Sequence, residues 1–103
     1  MLFLKKKRQY KISFCTTCMN RLFHLAETLP QNIDDNRGYT NLEFIVLNYN
    51  SKDEIDKWVE RKMIGQIEKG RVRYLKTTQP VFFKVSHAKN IVTKFATGEI
   101  VCN

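Results

Sequence analysis

The sequence is poor in the features that mark membrane, fibrous and disulfide-bonded proteins. No run among its 103 residues comes near the length of apolar chain needed to cross a bilayer. Four glycines and two prolines are too few for a collagen-like or low-complexity chain, and no segment repeats another. Three cysteines do not make a disulfide framework, and in a small cytosolic domain they are read as free thiols. Acid is scarce as well: 10 Asp and Glu stand against 18 Lys and Arg, and the first eleven residues contain none.

The basic excess is uneven. Without Lys5, Lys6, Lys7, Arg8 and Lys11 the net charge falls from +8 to +3. Residues 1–10 therefore read as a basic arm ahead of a single domain, residues 11–103. Such a run is commonly just solvated. Its functional alternative is weak contact with an anionic membrane surface, at about 1 kcal/mol per basic residue. Met1, Leu2, Phe3 and Leu4 precede the basic residues, the reverse of the order in a secretory leader, so the chain is expected to be cytoplasmic. No RRM, zinc-finger or helix-turn-helix pattern accompanies the charge, and a nucleic-acid partner is not expected.

Periodicity then sets out the elements. Residues 11–16 read as a buried strand. Leu22, Leu25, Ala26 and Leu29 share one helical face, in a segment that Pro30 and the polar run 31–37 end or fray, with a turn at Gly38. Residues 42–47 are apolar on both faces, as in a central parallel strand. Ser51, with Glu54 three positions on, reads as a capping box. It opens one helix with Ile55, Trp58, Val59 and Met63 on its apolar face and Gly70 as its stop. Residues 71–76 alternate, as in a strand nearer a sheet edge. Val85, Ala88, Ile91, Val92 and Phe95 recur at helical spacing, Gly98 is a natural stop, and residues 99–102 begin a last strand. The fold class is α/β: a Rossmann-like, mostly parallel sheet of about four strands with about three flanking helices. The last strand leaves a sheet edge open, and a homodimer through that edge is expected.

Ligands of open α/β sheets bind beyond the carboxyl ends of the strands. Those ends, residues 16–20, 48–51 and 77–79, are rich in hydroxyls and amides able to bond a base, a ribose or a phosphate. The same residue types are also ordinary in loops and caps. Cys15 and Cys18 have the spacing of a redox dithiol between a strand and a helix, which makes a thioredoxin-like protein the alternative reading. Pro80, ahead of Val81, Phe82 and Phe83, would be the proline that borders such a site. Metal binding by Cys15, Cys18, Cys102 and His24 or His87 is disfavoured, since structural zinc usually takes two close ligand pairs.

Four segments, residues 12–21 (ISFCTTCMNR), 43–53 (EFIVLNYNSKD), 88–90 (AKN) and 96–101 (ATGEIV), together resemble the N-terminal portion of family 2 glycosyltransferases. The resemblance implies a GT-A fold that binds a UDP- or GDP-sugar and, in the intact protein, passes the sugar to an acceptor. It implies that Thr16, Thr17, Cys18 and Asn20 border the base and ribose, with Asn48, Tyr49 and Asn50 after the second strand. Lys84 and Lys89, the latter beside Asn90, would meet phosphate as point charges. The chain departs from the family at Asn48 and Tyr49, where a pair of aspartates is usual, and at Met19, where an aromatic is usual. The family's Asp-x-Asp motif would fall just beyond Asn103. A divalent cation, Mn or Mg, is thus expected for the intact enzyme and none for this stretch, which is not expected to catalyse transfer alone.

Overall fold

A computed structural model describes residues 10–79 and 82–102. At its centre lies β2 (Leu42–Tyr49), buried at every position. A strand stays dry on both faces when strands flank it and helices cover it above and below, and this one meets both conditions. β1 (Ile12–Cys18) and β3 (Val72–Thr77) pair with it, and β4 (Ile100–Cys102) pairs with β1. The order is β3-β2-β1-β4 and every pairing is parallel. The helices are α1 (Leu22–Asp35), α2 (Ile55–Lys62), α3 (Ile64–Glu68) and α4 (Val85–Phe95). The architecture is thus α/β and Rossmann-like. Successive strands step outward from β1 to β3, and the chain then returns to the other side of β1. That reversal makes β1 the switch point of the sheet, beyond whose carboxyl end ligands of such folds bind.

Side chains alternate across the sheet and form two cores. On one face Leu25, Leu29 and Ile33 of α1, with Ile55, Trp58 and Val59 of α2, cover Cys18, Leu42, Phe44, Val46 and Val72. Phe14 and Phe44, opposite each other in register, stack there at 5.2 Å. On the other face Ala88 and Val92 of α4 cover Cys15, Ile45, Leu47 and Tyr49. The exposed edge strand β4 leaves Ile100 and Val101 at the surface. No helix among the described residues is long and apolar enough to cross a membrane. The basic residues Lys5, Lys6, Lys7 and Arg8 lie outside the described residues.

Four local expectations are corrected. β1 does not stop at Thr16, because its pairing with β2 runs on to Cys18 opposite Asn48. α1 does not end at Pro30 but carries it internally to Asp35. Proline removes one backbone hydrogen bond, yet Ile33 beyond it is buried on the same face as Leu25 and Leu29, and that burial favours continuing the helix. Ser51 and Glu54 form no capping box. Instead the Ser51 hydroxyl donates to Asp53 Oδ1 at 2.7 Å, and that oxygen accepts the Ile55 N–H at 3.3 Å. The single helix expected up to Gly70 breaks at the buried Met63, so four helices flank the sheet rather than three. Gly70 ends α3 with φ +79°, a left-handed conformation that glycine adopts freely.

One buried charge fastens the lower end of the sheet. Glu43 Oε2 accepts hydrogen bonds from the Ser13 hydroxyl at 2.6 Å, from the Thr97 N–H at 2.9 Å and from the Thr97 hydroxyl at 3.0 Å. Oε1 accepts from Arg73 Nη1 at 3.2 Å and faces Lys11 Nζ at 3.9 Å. Arg73 Nη1 also donates to the Phe95 carbonyl at 2.6 Å, closing the end of α4. Ser13 Oγ in turn accepts the Gly98 N–H at 2.8 Å. A Cβ on Gly98 would stand 2.6 Å from that oxygen and 2.7 Å from the Ser13 nitrogen, so the turn from α4 into β4 admits only glycine. Gly98→Ala is expected to cost about 1–3 kcal/mol in urea unfolding.

Burial opposes ionisation of Glu43, but the donors from Ser13, Thr97 and Arg73 outweigh it and hold the carboxyl at about 2, down from 4.5. A depressed carboxylate stabilises the fold in full above the unfolded value and loses that contribution as pH falls through the folded value. Stability should therefore drop between pH 4.5 and about 2, by on the order of 3 kcal/mol from this group. Glu43→Gln should be less stable at pH 7 and show a flatter profile across that window, as read by thermal melts at a series of pH values.

Candidate functional site

At the opposite end, the turns after β1 and β2 hold each other. Each contains an asparagine in left-handed conformation, Asn20 (φ 58°) and Asn50 (φ 50°), which asparagine tolerates better than most residues. The Asn20 N–H donates to Ser51 Oγ at 2.8 Å, and Asn20 Oδ1 accepts the Lys52 N–H at 2.6 Å. Asp53 reaches both neighbouring helices. Its Oδ2 accepts the first N–H of α1, from Leu22, at 3.0 Å, and its Oδ1 accepts that of Ile55 in α2. One carboxylate thus complements the positive ends of two helices.

Asn48 is engaged at both ends of its amide. Oδ1 accepts the Ser51 N–H at 2.8 Å, while Nδ2 donates to Tyr74 Oη at 2.8 Å and to Asp56 Oδ1 at 3.4 Å. The Tyr74 hydroxyl donates to Asp56 at 2.5 Å, and Lys76 Nζ pairs with Asp56 Oδ2 at 3.2 Å. Burial, and then the Asp56 hydrogen bond, push the Tyr74 phenol above its ordinary range. The Tyr74 hydroxyl bond is the main influence holding the Asp56 carboxyl low. These contacts make a rigid polar brace between β3 and α2.

The residues expected to border a nucleotide are therefore sorted by their surroundings. Tyr49 has no exposed surface; its hydroxyl meets His87 Nδ1 at 2.7 Å and its ring lies edge-on to Phe83 at 5.4 Å. It offers no face for stacking. Cys18 is buried in the core under α1 and α2. Asn50 is 8% exposed and Asn48 4%. Alternation along β1 carries the exposed Thr16 to the α1 side and the half-buried Thr17 to the α4 side. Lys84 immediately precedes α4, and Lys89 and Asn90 lie exposed within it.

Beyond the carboxyl end of β1, on the α4 side, opens a cleft of about 260 Å³ lined by Thr17, Met19, Arg21 and Phe83. Of the expected ligand-bordering residues, Thr17 is the one in this lining. Arg21 is exposed, and its guanidinium makes no ion pair among the described residues. Arg21 closes the first glycosyltransferase-like segment, which was the available signal for it. Phe83 had none, because it falls in an irregular stretch without periodicity. Among the described residues, no group of three or more His, Cys, Asp or Glu side chains is gathered to hold a metal ion.

The two close cysteines do not form a dithiol. Both lie within β1, three residues apart, so they face opposite sides of the sheet: Cys15 enters the core under α4 and Cys18 the core under α1 and α2. Three strand steps span roughly 10 Å, beyond disulfide reach. Burial, aided by Glu43 and Cys102, pushes the Cys15 thiol up to about 11, and burial raises Cys18 as well. Buried thiols of raised pKa are poor nucleophiles. Pro80, the proline of the redox reading, lies outside the described residues. In native protein at pH 8, a thiol reagent should label the half-exposed Cys102 first, with Cys15 and Cys18 at least about tenfold slower. Mild oxidation should leave both free by mass spectrometry.

Compared with protein-family models and with curated proteins, the chain matches none, so the functional argument stands on the cleft at the sheet's switch point and on the resemblance in the turns beside it.

Proposed function

We propose that this chain is the nucleotide-binding part of a glycosyltransferase that uses a UDP- or GDP-sugar, with the nucleotide lying across the carboxyl end of β1. The observation that carries the proposal is the coincidence of an open cleft, an arginine with no ion pair among the described residues and the strand at which the order of the parallel sheet reverses. Nucleotides bind at such reversals because crossover loops diverge there and leave a crevice. The glycosyltransferase-like turn ending in Asn20 and Arg21 forms one wall of that crevice.

Within this reading Thr17 and Arg21 of the lining, and Lys84 beside it, have distinct tasks. The Thr17 hydroxyl can donate to or accept from a ribose hydroxyl. Arg21 presents a planar fork of donors suited to two oxygens of one phosphate. Lys84, beside Phe83 in the chain, supplies a second positive charge. Among the described residues no three or more His, Cys, Asp or Glu side chains gather to hold a metal ion. The chemistry assigned to these lining residues is binding and orientation of the donor.

Isothermal titration with UDP and GDP, with and without manganese, tests the proposal. Binding with a Kd of roughly 0.1–1 mM is expected, with little effect of manganese. Arg21→Ala should weaken it about tenfold, as loss of a charged hydrogen bond does. Absence of binding by either nucleotide at millimolar concentration, or an Arg21→Ala variant that binds as the parent does, would overturn it.

A further inference from the structure

We infer that the cleft grips a nucleotide by stacking its base on Phe83 and pairing its diphosphate with Arg21, while reading the edge of the base hardly at all. This rests on the nucleotide-binding reading above and adds a specificity to it.

The first ground is that Asn48, Tyr49 and the N–H groups of Asn20 and Leu22, which could read a base, are already engaged. Both ends of the Asn48 amide are bonded, to Ser51 on one side and to Tyr74 and Asp56 on the other. The Tyr49 hydroxyl is bonded to His87 in a fully buried position. The N–H groups of Asn20 and Leu22 are bonded to Ser51 and Asp53. Discrimination between uracil and guanine needs fixed donors and acceptors matched to one edge, and a site earns a large ratio only when the wrong base leaves buried polar groups unpaired. In this lining Thr17 is the neutral hydrogen-bonding side chain, and its rotating hydroxyl serves as donor or acceptor alike.

The second ground is that Phe83 is placed as a platform. Phe83 is 43% exposed although it packs against a buried tyrosine. Tyr49 meets it at an interplanar angle of 83° and is itself fastened through its hydroxyl to α4. A half-exposed aromatic held on one side can accept a base on the other without first being ordered. Every base has a π-face, so stacking tolerates base identity. Arg21 in the same lining supplies charge that depends on the diphosphate alone. The predicted ligand class is any nucleoside diphosphate, with the purine favoured slightly by its larger ring.

The test is titration of the full chain with UDP, GDP and inorganic pyrophosphate. UDP and GDP should bind within about fivefold of each other. Phe83→Ala should weaken both about tenfold, as removal of a stacking partner does, and leave pyrophosphate binding unchanged. Phe83→Trp should retain nucleotide binding. Arg21→Ala should weaken all three ligands. Phe83 is at the surface, so melting temperatures close to the parent's should accompany these changes. If nucleotides bind but one base is preferred more than about thirtyfold, or Phe83→Ala leaves their affinity intact, the stacking inference fails and the nucleotide reading survives. If the parent chain binds pyrophosphate and no nucleotide, or nothing at all, both fail.

Discussion

The buried carboxylate of Glu43 is the constraint on which the arrangement of this chain turns. A charge taken out of water is costly unless hydrogen bonds replace its hydration. Glu43 recovers them from β1 through Ser13, from β3 through Arg73 and from the turn beyond α4 through Thr97. Three segments distant in sequence are thereby fixed to the central strand by one group. The turn at Gly98 is drawn against Ser13 so closely that no side chain fits, and β4 is delivered to the free side of β1. The reversal of strand order at β1 follows from that docking.

Packing links this lower clamp to the upper end of the molecule. α4 is closed at its final turn by Arg73 and anchored near its first turn by the Tyr49–His87 hydrogen bond. Between these points Ala88 and Val92 press onto Cys15, Ile45, Leu47 and Tyr49. A helix held at both ends and along its apolar face sets the position of Phe83 just ahead of it. The cleft then forms between that residue and the turn leaving β1. The shape of the cleft at one end of the sheet is thus tied to electrostatics at the other.

The turns that look most ligand-like in the sequence serve chiefly to brace each other. Asn20, Asn48, Ser51 and Asp53 join β1, β2, α1 and α2 through short, directed hydrogen bonds. Braced turns suit a binding surface, because a ligand meeting them need not order them first. Their polar atoms are for that reason less available for recognition. What faces the cleft is a hydroxyl, a thioether, a guanidinium and an aromatic ring, a set suited to charge and shape.

Sequence pattern alone determined the alternation of strands and helices, the complete burial around Phe44 and Val46, the stop at Gly70 and hence the parallel α/β class. These follow from local periodicity and from backbone conformations that a few residue types permit. Tertiary contacts decided the rest. The continuation of α1 through Pro30 depends on Ile33 finding a place in the core. The separation of Cys15 from Cys18 depends on how far β1 pairs with β2, for only within a strand does a spacing of three put two thiols on opposite faces. For the site, the sequence named the polar residues at the strand ends. Which of them remain open to a ligand was settled by partners 26 to 38 positions away, such as Tyr74 for Asn48, Ser51 for Asn20 and His87 for Tyr49. Local pattern carries no information about such pairings, because they exist only once the sheet has brought the turns together.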